Sequence, residues 1–424
     1  MNFWFGITLW KRVMGALILG IGFGLLVQQT MGENAQGFLE IYVEPVGDIF
    51  IELIRMMIVP LIFTTLVAGV IAMKEPTKLG TIGIITVGLY LVTTFFANTI
   101  GLVIGTIMQP GAGAGEALFG AVPQPVQTES QSFWDFILQI IQNPIAAMAE
   151  TNILAVIFFG LLFGIAVLLS GERGEPVARF FASASDVVLK LTTMIMEVAP
   201  FGVFALISYA TVAYGLEAFQ SIAWLIITVY IGLFLHVVIV YGVLIKFVLR
   251  LPLIRFFRGI LDAQAVAYST ASSSATLPVT ITNAQRNLGV KKSIAGSVLP
   301  LGATINMDGT ALYLGILALF SAQAFGIELS LMNYVLIAGT AAIVSIGAAG
   351  IPSASLFLLA TVLSTFGMTP EQIALVVGFV WPVDRIMDMA RTVVNVTGDA
   401  AVATSVAKWE GELDEKTFRD PATI

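Results

Sequence analysis

The chain has 424 residues, of which 58% are hydrophobic and 11% are charged, and its formal net charge is -7. A soluble protein of this length would carry about 25% charged residues, so the composition indicates a polytopic membrane protein. The sequence has no cysteine and one histidine, His236, which excludes disulfides, thiolate metal sites and zinc sites built on histidines. We interpret His236 as a polar residue packed between helices.

Eight apolar segments are long enough to cross a bilayer, for which about 20 residues suffice. They lie at about 8–30, 44–73, 80–108, 152–170, 178–213, 219–249, 293–325 and 371–408. Lys11 and Arg12 precede the first segment, but no cleavage pattern follows it, so we interpret it as a span rather than a signal peptide. Kinks or breaks are predicted at Pro60, Pro144 and Pro200.

Two further apolar stretches, residues 254–290 and 331–366, are each interrupted by a run of small residues. The interruptions extend from Ser272 to Pro278 and from Gly347 to Ser355. Two half-length apolar arms around such a tip predict a re-entrant hairpin, because irregular backbone at membrane depth survives only within protein or beside a water-filled cavity. Paired interrupted segments also point to the substrate site of a transporter.

The distribution of positive charge predicts the topology. The loops at about 31–43, 109–133, 214–218 and 326–330 contain no lysine or arginine, so we place them outside the cell and both termini in the cytoplasm. The fold class expected is all-α, with eight transmembrane helices plus two re-entrant hairpins of opposite orientation. Hairpin 254–290 would enter from the inside and hairpin 331–366 from the outside. We predict that the charged tail, residues 410–424, is mobile.

A run of charged residues interrupts the last span. Asp384, Asp388, Arg391, Asn395 and Asp399 follow one another at steps of 4, 3, 4 and 4, so they share one face of a helix. Each charge in a membrane helix costs about 2.5–3.5 kcal/mol even on the lenient insertion scales. The stripe therefore predicts a binding wall for a polar solute or an ion.

A second landmark is the run from Asn306 to Thr310 in the seventh span. Asn306 and Gly309 favour a local break that frees backbone carbonyls beside the Asp308 carboxylate, and such oxygens suit a hard cation such as sodium. The alternative is a structural kink that Asp308 caps. Thr93 and Thr94 could add hydroxyl oxygens, although threonine in a membrane helix more often bonds to its own helix.

Together these motifs resemble the dicarboxylate/amino acid:cation symporter family, which contains the animal excitatory amino acid transporters and the archaeal and bacterial glutamate and aspartate carriers. The resemblance covers essentially the whole chain and is strongest from residue 265 to residue 410. The run from Asp384 to Thr392 looks most like the bacterial glutamate/aspartate symporter branch.

The resemblance implies a glutamate-transporter-like elevator fold and a homotrimer in the prokaryotic cytoplasmic (inner) membrane. Scaffold spans would lie in residues 1–79 and 111–218, the latter with an external loop. The transport domain would comprise residues 80–110 and 219–408, and residues 409–424 would form a cytoplasmic tail.

The resemblance also implies roles for site residues. Arg391 would pair with the side-chain carboxylate of the substrate, and Asp388 would hold its ammonium group. The remaining substrate contacts would come from Ser272, Ser273, Ser274, Thr310, Ile351, Ala354, Ser355, Thr392 and Asn395. More than one sodium ion, with no organic cofactor, would be held by side chains or carbonyls of Tyr90, Thr93, Thr94, Gly302, Thr304, Asn306, Asp308, Ser345, Asn395 and Asp399.

The chain departs from the family pattern at several positions. Archaeal members carry an arginine where this chain has Ala271, and animal members carry it where this chain has Met389. We hypothesise that Arg385 supplies the missing positive charge near Asp384 and Asp388. Asp399 is retained where proton-coupled bacterial relatives tend to have an amide, which favours sodium. The outer tip reads Ser353-Ala354-Ser355, where glycines are common in the family.

The leading hypothesis is sodium-coupled symport of L-aspartate or L-glutamate into the cell. A proton-coupled glutamate or C4-dicarboxylate symporter and a neutral amino acid (serine or threonine) symporter are alternatives, and an anion channel is an alternative of a different class. A membrane-embedded hydrolase using Ser272–Ser274 is disfavoured because no GxSxG elbow accompanies these serines. The expectation is therefore a transporter rather than an enzyme.

Overall fold

The computed structural model describes residues 9–72, 76–115, 140–150, 152–215, 217–346 and 354–420, together with Ile7 and Leu138. These residues form helices and their connections, and the one isolated β-bridge among them pairs Val290 with Leu413. The prediction of an all-α chain is confirmed. The tip of the second predicted hairpin, residues 347–353, lies outside the described residues. This range includes Ile351, and the side chain of Ala354 is not described either.

The described residues of the first half of the chain form eight α-helices. They are α1 (Leu9–Met31), α2 (Ala35–Tyr42), α3 (Glu44–Ala72), α4 (Pro76–Met108), α5 (Pro144–Ala149), α6 (Ile153–Leu169), α7 (Glu175–Met196) and α8 (Ala199–Tyr214). Within the predicted outer loop 31–43, the chain is helical over α2, where Ala35 and Leu39 pack inward. The axes of α7 and α8 bend by 47°. Pro200 lies in the first turn of α8, so the predicted break is present there, whereas α3 continues through Pro60.

The second half begins with α9 (Glu217–His236), which continues in two π-helical turns, Val237–Tyr241 and Leu244–Val248. The helices that follow are α10 (Leu253–Gly259), α11 (Leu261–Thr270), α12 (Ser273–Arg286), α13 (Lys292–Ile305), α14 (Asp308–Ala324), α15 (Leu331–Ile346), α16 (Ala354–Ser364), α17 (Pro370–Trp409) and α18 (Glu415–Arg419).

The first predicted hairpin folds as two arms. Helix α11 ends at Ala271, whose φ of 52° places it in the left-handed region, and the chain then reverses into α12. Ser272 caps α12, because its side-chain oxygen accepts a hydrogen bond from the backbone N–H of Ala275. A helix cap of this kind satisfies a donor that the helix itself leaves unpaired.

Within the described ranges, four helices are long and apolar enough to cross a membrane, or five if the bent pair α7–α8 counts as one span. Shorter apolar helices lie at Val59–Ile71, Ala155–Leu169 and Leu331–Ile346. These helices are consistent with a multi-pass membrane protein. The count of eight spans with two hairpins stays a prediction.

The helices pack in two groups. In the first, α1 lies along α8, while α3 contacts α6, α7 and α8. In the second, α4 lies along α14, and the long helix α17 contacts α11, α12, α13 and α14. Helix α14 is the centre of the second group, since every residue of it except Gln323 is buried.

The tail is docked over residues 410–420, so the prediction that it is mobile is wrong for this segment. The backbone N–H of Asp414 donates to the carbonyl of Gly289 at 2.8 Å, and that of Lys291 donates to the carbonyl of Glu412 at 3.1 Å. Phe418 is buried against the protein. Hydrogen bonds from Thr417 hold the pKa of Asp414, the residue that caps α18, below its usual value.

Candidate functional site

The site is assembled on the break between α13 and α14, which the sequence predicts. Asn306 and Met307 leave the helical conformation, with ψ values of 89° and 48°. The freed backbone N–H of Gly309 donates to the side-chain carbonyl of Asn395 at 2.8 Å. A Cβ on Gly309 would lie 2.6 Å from the carbonyl oxygen of Arg391, so glycine is required for this close approach to α17.

Three residues of the stripe and one tyrosine form the first half of the site. The buried guanidinium of Arg391 donates to Asp388 Oδ1 at 2.7 Å, and its Nη1 lies 3.1 Å from Asp384 Oδ1. Its Cζ lies 3.8 Å from the centre of the Tyr313 ring. The Tyr313 hydroxyl in turn donates to Asp384 Oδ1 at 2.7 Å. We call these four residues the arginine cluster.

Several polar atoms of the arginine cluster are buried without a hydrogen bond to the described residues. They are Nε and Nη1 of Arg391 and Oδ2 of Asp384. Unmade hydrogen bonds on buried charged groups are costly, and most buried polar atoms in folded proteins have a partner. The cluster therefore holds donor capacity that a bound anionic group can complete.

Arg385 joins α17 to the tip of the first hairpin. Its Nη2 donates to the carbonyl of Thr270 at 3.1 Å, and its Nη1 lies 3.9 Å from Asp388 Oδ2. The positive charge of Arg385 is thus placed beside Asp388, whereas Asp384 pairs with Arg391.

A second half of the site surrounds Asp308, which is completely buried at the start of α14. Thr94 donates to its Oδ1 at 2.6 Å, and Tyr241 donates to its Oδ2 at 2.7 Å. His236 Nε2 lies 3.3 Å from the same Oδ2. Thr93 instead donates to the carbonyl of Tyr90 at 3.1 Å, within its own helix.

Asp399 lies one turn beyond Asn395 on α17 and is also buried. The Asn306 side chain donates to Asp399 Oδ1 at 2.9 Å and to the carbonyl of Asn395 at 3.0 Å. The Oδ1 of Asn306 is buried and accepts no hydrogen bond from the described residues. A Cβ on Gly302 would collide with Asp399 Oδ1 and with the Tyr90 hydroxyl, so Gly302 lets both groups approach α13.

Charge compensation separates the two halves. The aspartates of the arginine cluster lie beside guanidinium groups. Among the described ion pairs, no lysine or arginine is a partner of Asp308 or Asp399. A buried carboxylate is costly unless it is paired with a positive charge or coordinates a metal ion. The oxygen atoms of the second half could therefore ligate a hard cation.

The remaining predicted residues lie at different places. Thr392 donates to the carbonyl of Asp388 at 2.9 Å, and Thr310 and Ser273 are buried. Ser355 is buried with an unpartnered hydroxyl, whereas Ser274 is exposed. Thr304 and Ser345 each donate to a carbonyl of their own helix, three residues back.

Sequence reasoning missed two tyrosines and one contact. Tyr313 and Tyr241 lie in apolar helices, where an aromatic residue is usually read as core. His236 is buried between helices as expected, but it also contacts Asp308. The sequence did contain one indication of the role of Tyr313. It lies three residues after Thr310 and therefore on the same face of α14.

Comparison with known proteins supports these observations. A family model described as the sodium:dicarboxylate symporter family matches residues 9–409. The proton/sodium-glutamate symport protein of Bacillus subtilis (strain 168) is 35% identical over 410 residues, which cover 95% of this chain and 94% of the relative. The proton/glutamate-aspartate symporter of Escherichia coli (strain K12) is 34% identical over 415 residues, or 96% and 93% of the two chains.

A relative named for a different substrate is equally similar. The C4-dicarboxylate transport protein of Azorhizobium caulinodans is 36% identical over 414 residues, which cover 96% of this chain and 90% of the relative. The match of one family model to almost the whole chain, and full-length relatives above 30% identity, confirm the resemblance that the motifs predicted. The chain belongs to the sodium:dicarboxylate symporter family.

Proposed function

We propose that this protein is a secondary active transporter that moves L-aspartate or L-glutamate into the cell together with sodium ions. The observation that carries the proposal is the division of the site into an arginine cluster and an adjacent pair of buried carboxylates, Asp308 and Asp399, which pair with no arginine or lysine of the described residues. The first half suits an amphoteric, acidic solute, and the second suits cations.

The substrate class follows from the chemistry of Arg391 and Asp388. A planar guanidinium binds a carboxylate through two parallel hydrogen bonds. Nε and Nη1 of Arg391 are buried and make no hydrogen bond to the described residues, although Nη1 lies 3.1 Å from Asp384 Oδ1. Asp388 would release its hydrogen bond from Arg391 and would instead accept hydrogen bonds from the substrate ammonium group. Thr310, Thr392, Asn395 and the serines at the first hairpin tip would contribute further hydrogen bonds, with the second hairpin closing over the α-carboxylate.

A C4-dicarboxylate is the second candidate substrate, because the Azorhizobium relative is named as a transporter of that class. Such a substrate has two carboxylates and no ammonium group, so it would bring a negative charge toward Asp388. The second carboxylate of the substrate and the carboxylate of Asp388 would repel each other, and this repulsion is strong in a buried site. The presence of Asp388 therefore favours an amino acid.

Sodium is the coupling ion that the second half of the site favours. Asp308, Asp399, the unpartnered Oδ1 of Asn306 and nearby carbonyls, including that of Gly302, provide hard oxygen ligands. Thr93, Thr94 and Asn306, with Tyr90 near by, would contribute to the ion beside Asp308. A further ion would use carbonyls near Thr304 and Ser345–Ala348. We propose more than one ion per substrate.

Elevator-type transport by a homotrimer is the mechanism we propose, with both termini in the cytoplasm. The two groups of packed helices support this proposal, since α1, α3, α6, α7 and α8 would form the fixed scaffold. The group built around α14 would carry substrate and ions across the membrane as one body.

Uptake into proteoliposomes tests the proposal. Labelled L-aspartate, L-glutamate, succinate and L-serine would be offered with an inward sodium gradient alone, a proton gradient alone, or both. We expect accumulation of an acidic amino acid under the sodium gradient, and loss of that accumulation when an ionophore collapses the gradient. Uptake under a proton gradient without sodium would overturn sodium coupling. Uptake of succinate or serine without any acidic amino acid would overturn the substrate assignment.

A further inference from the structure

The two π-helical turns after His236 change which side chains face the same way. In an α-helix with 3.6 residues per turn, residues five apart lie about 140° apart around the axis. Here the rings of His236 and Tyr241 meet edge to face, with their centres 4.8 Å apart. π-helical turns are rare and occur frequently at functional sites. The turn Val237–Tyr241 therefore brings two polar aromatic residues to one face of α9 and its extension.

Both side chains reach the same oxygen of the same carboxylate. Tyr241 donates to Asp308 Oδ2 at 2.7 Å, and His236 Nε2 lies 3.3 Å from that atom. Thr94 holds the other oxygen, Oδ1, from α4. The carboxylate is thus held by side chains of two different helices, α4 and the extension of α9.

The fit around the Tyr241 hydroxyl is tight. Tyr241 and His236 are both completely buried. A Cβ on Gly398 would collide with the Tyr241 hydroxyl, so the glycine in α17 leaves the space that the hydroxyl occupies. The hydroxyl is therefore held between α17 and the start of α14, next to Asp308.

We infer that Tyr241 and His236 are positioning residues for the cation site that contains Asp308. This inference rests on the proposed sodium coupling. Neither residue needs to touch the ion. Each acts by holding Asp308 Oδ2, so that the carboxylate keeps one orientation toward the ion. Hydrogen bonds behind a metal-ligating side chain orient the ligand, and their loss typically costs about 10–100-fold in metal affinity.

The test compares Tyr241→Phe with the wild-type protein. This change keeps the ring and its edge contact with His236 but removes the hydroxyl. The first measurement is the thermal stability of the purified protein without substrate as sodium chloride replaces choline chloride at constant ionic strength. We expect the sodium concentration for half of the stabilisation to rise about tenfold or more. The sodium dependence of aspartate uptake should shift by a similar factor, with the maximal rate at saturating sodium within about twofold of wild type.

Tyr230→Phe is the matched control. Tyr230 lies on the same helix, and its hydroxyl also donates to a distant element, the carbonyl of Ile386 at 2.8 Å. It does not contact Asp308, so its loss should leave the sodium half-saturation unchanged. A second pair, His236→Leu and His236→Gln, tests the contact between His236 Nε2 and Asp308 Oδ2. The glutamine keeps an N–H and should recover much of the sodium affinity that leucine loses.

The outcomes separate this inference from the proposed function. If sodium stabilises the wild type but Tyr241→Phe has the same half-saturation, or if Tyr230→Phe shifts equally, the positioning role is wrong and sodium coupling stands. If sodium neither stabilises the wild type nor drives its uptake, sodium coupling is wrong and this inference falls with it.

Discussion

The guanidinium of Arg391 and the ring of Tyr313 lie in contact, with Cζ 3.8 Å from the ring centre. The Tyr313 hydroxyl donates to the same oxygen of Asp384 that Nη1 of Arg391 approaches at 3.1 Å. Tyr313 therefore covers one face of the guanidinium, and Asp384 lies at one edge of it. The Tyr313 hydroxyl also fixes the position of the Asp384 carboxylate. The guanidinium is therefore oriented before a substrate arrives.

Replacement of Arg391 by cysteine should abolish uptake of acidic amino acids, because no other group of the arginine cluster can pair with a side-chain carboxylate. The smaller, neutral side chain should also admit neutral amino acids such as serine. Competition between labelled aspartate and unlabelled serine measures both effects. Arg258→Cys, at an exposed arginine of α10, is the control and should behave as wild type. Retained aspartate affinity in Arg391→Cys would contradict the assigned role.

Tyr313→Phe should weaken substrate binding while it leaves sodium binding intact. The change keeps the ring beside Arg391 but removes a hydrogen bond to a charged group, which is typically worth about 1.5–3 kcal/mol. We expect the KM for aspartate to rise by about tenfold or more at saturating sodium. The sodium concentration for half-maximal stabilisation, measured without substrate, should not change. A change confined to sodium binding would show that Tyr313 belongs to the other half of the site.

Asp388→Asn should reverse the preference between an amino acid and a C4-dicarboxylate. The neutral amide cannot balance a substrate ammonium group, but it also no longer repels a second carboxylate. We expect aspartate affinity to fall and succinate to become a better inhibitor of the remaining uptake, so the ratio of the two inhibition constants is the readout. If the ratio is the same as in wild type, Asp388 does not recognise the ammonium group.

Arg385→Ala should lower both aspartate affinity and transport rate. It leaves the carbonyl of Thr270 without its donor and removes a positive charge that lies 3.9 Å from Asp388. Arg385→Lys keeps the charge and should retain part of the affinity. Unchanged affinity, rate and thermal stability in Arg385→Ala would contradict the hypothesis that this residue compensates the negative charge of Asp384 and Asp388.

Phe418→Ala should undock the tail, because Phe418 is buried and truncation of a core phenylalanine typically costs about 3–5 kcal/mol. The observable is the rate at which trypsin cleaves after Lys416 and Arg419 in the folded protein. Phe180→Ala, at a residue that is 65% exposed, is the control and should leave that rate unchanged. Equal protection in the two variants would mean that Phe418 does not anchor the tail.

Much of the second group of helices was predictable because its signals are local. Asn306 and Gly309 disfavour a continuous helix, and the break is found there. The spacing of Asp384, Asp388 and Arg391 predicted a shared face, and both aspartates contact Arg391. Small residues at Ser272 and its neighbours predicted a reversal, which the structure places after Ala271.

Other features depend on information that local patterns do not contain. Residues 236 and 241 fall on different faces of an α-helix, so only the π-helical turn makes them neighbours. The charged composition of the tail predicted mobility, but one buried aromatic residue, Phe418, and backbone bonds to Gly289 decide its position. Such partners are distant in sequence, and no periodicity links them.

The bridge between Val290 and Leu413 has a practical consequence for handling this protein. The last long helix ends at Trp409. Shortening the chain there would remove the backbone hydrogen-bond partners of Gly289 and Lys291, which follow the first hairpin. Residues up to at least Asp420, whose backbone N–H donates to the carbonyl of Lys416, therefore belong with the folded protein. Affinity tags and fluorescent reporters belong after that residue.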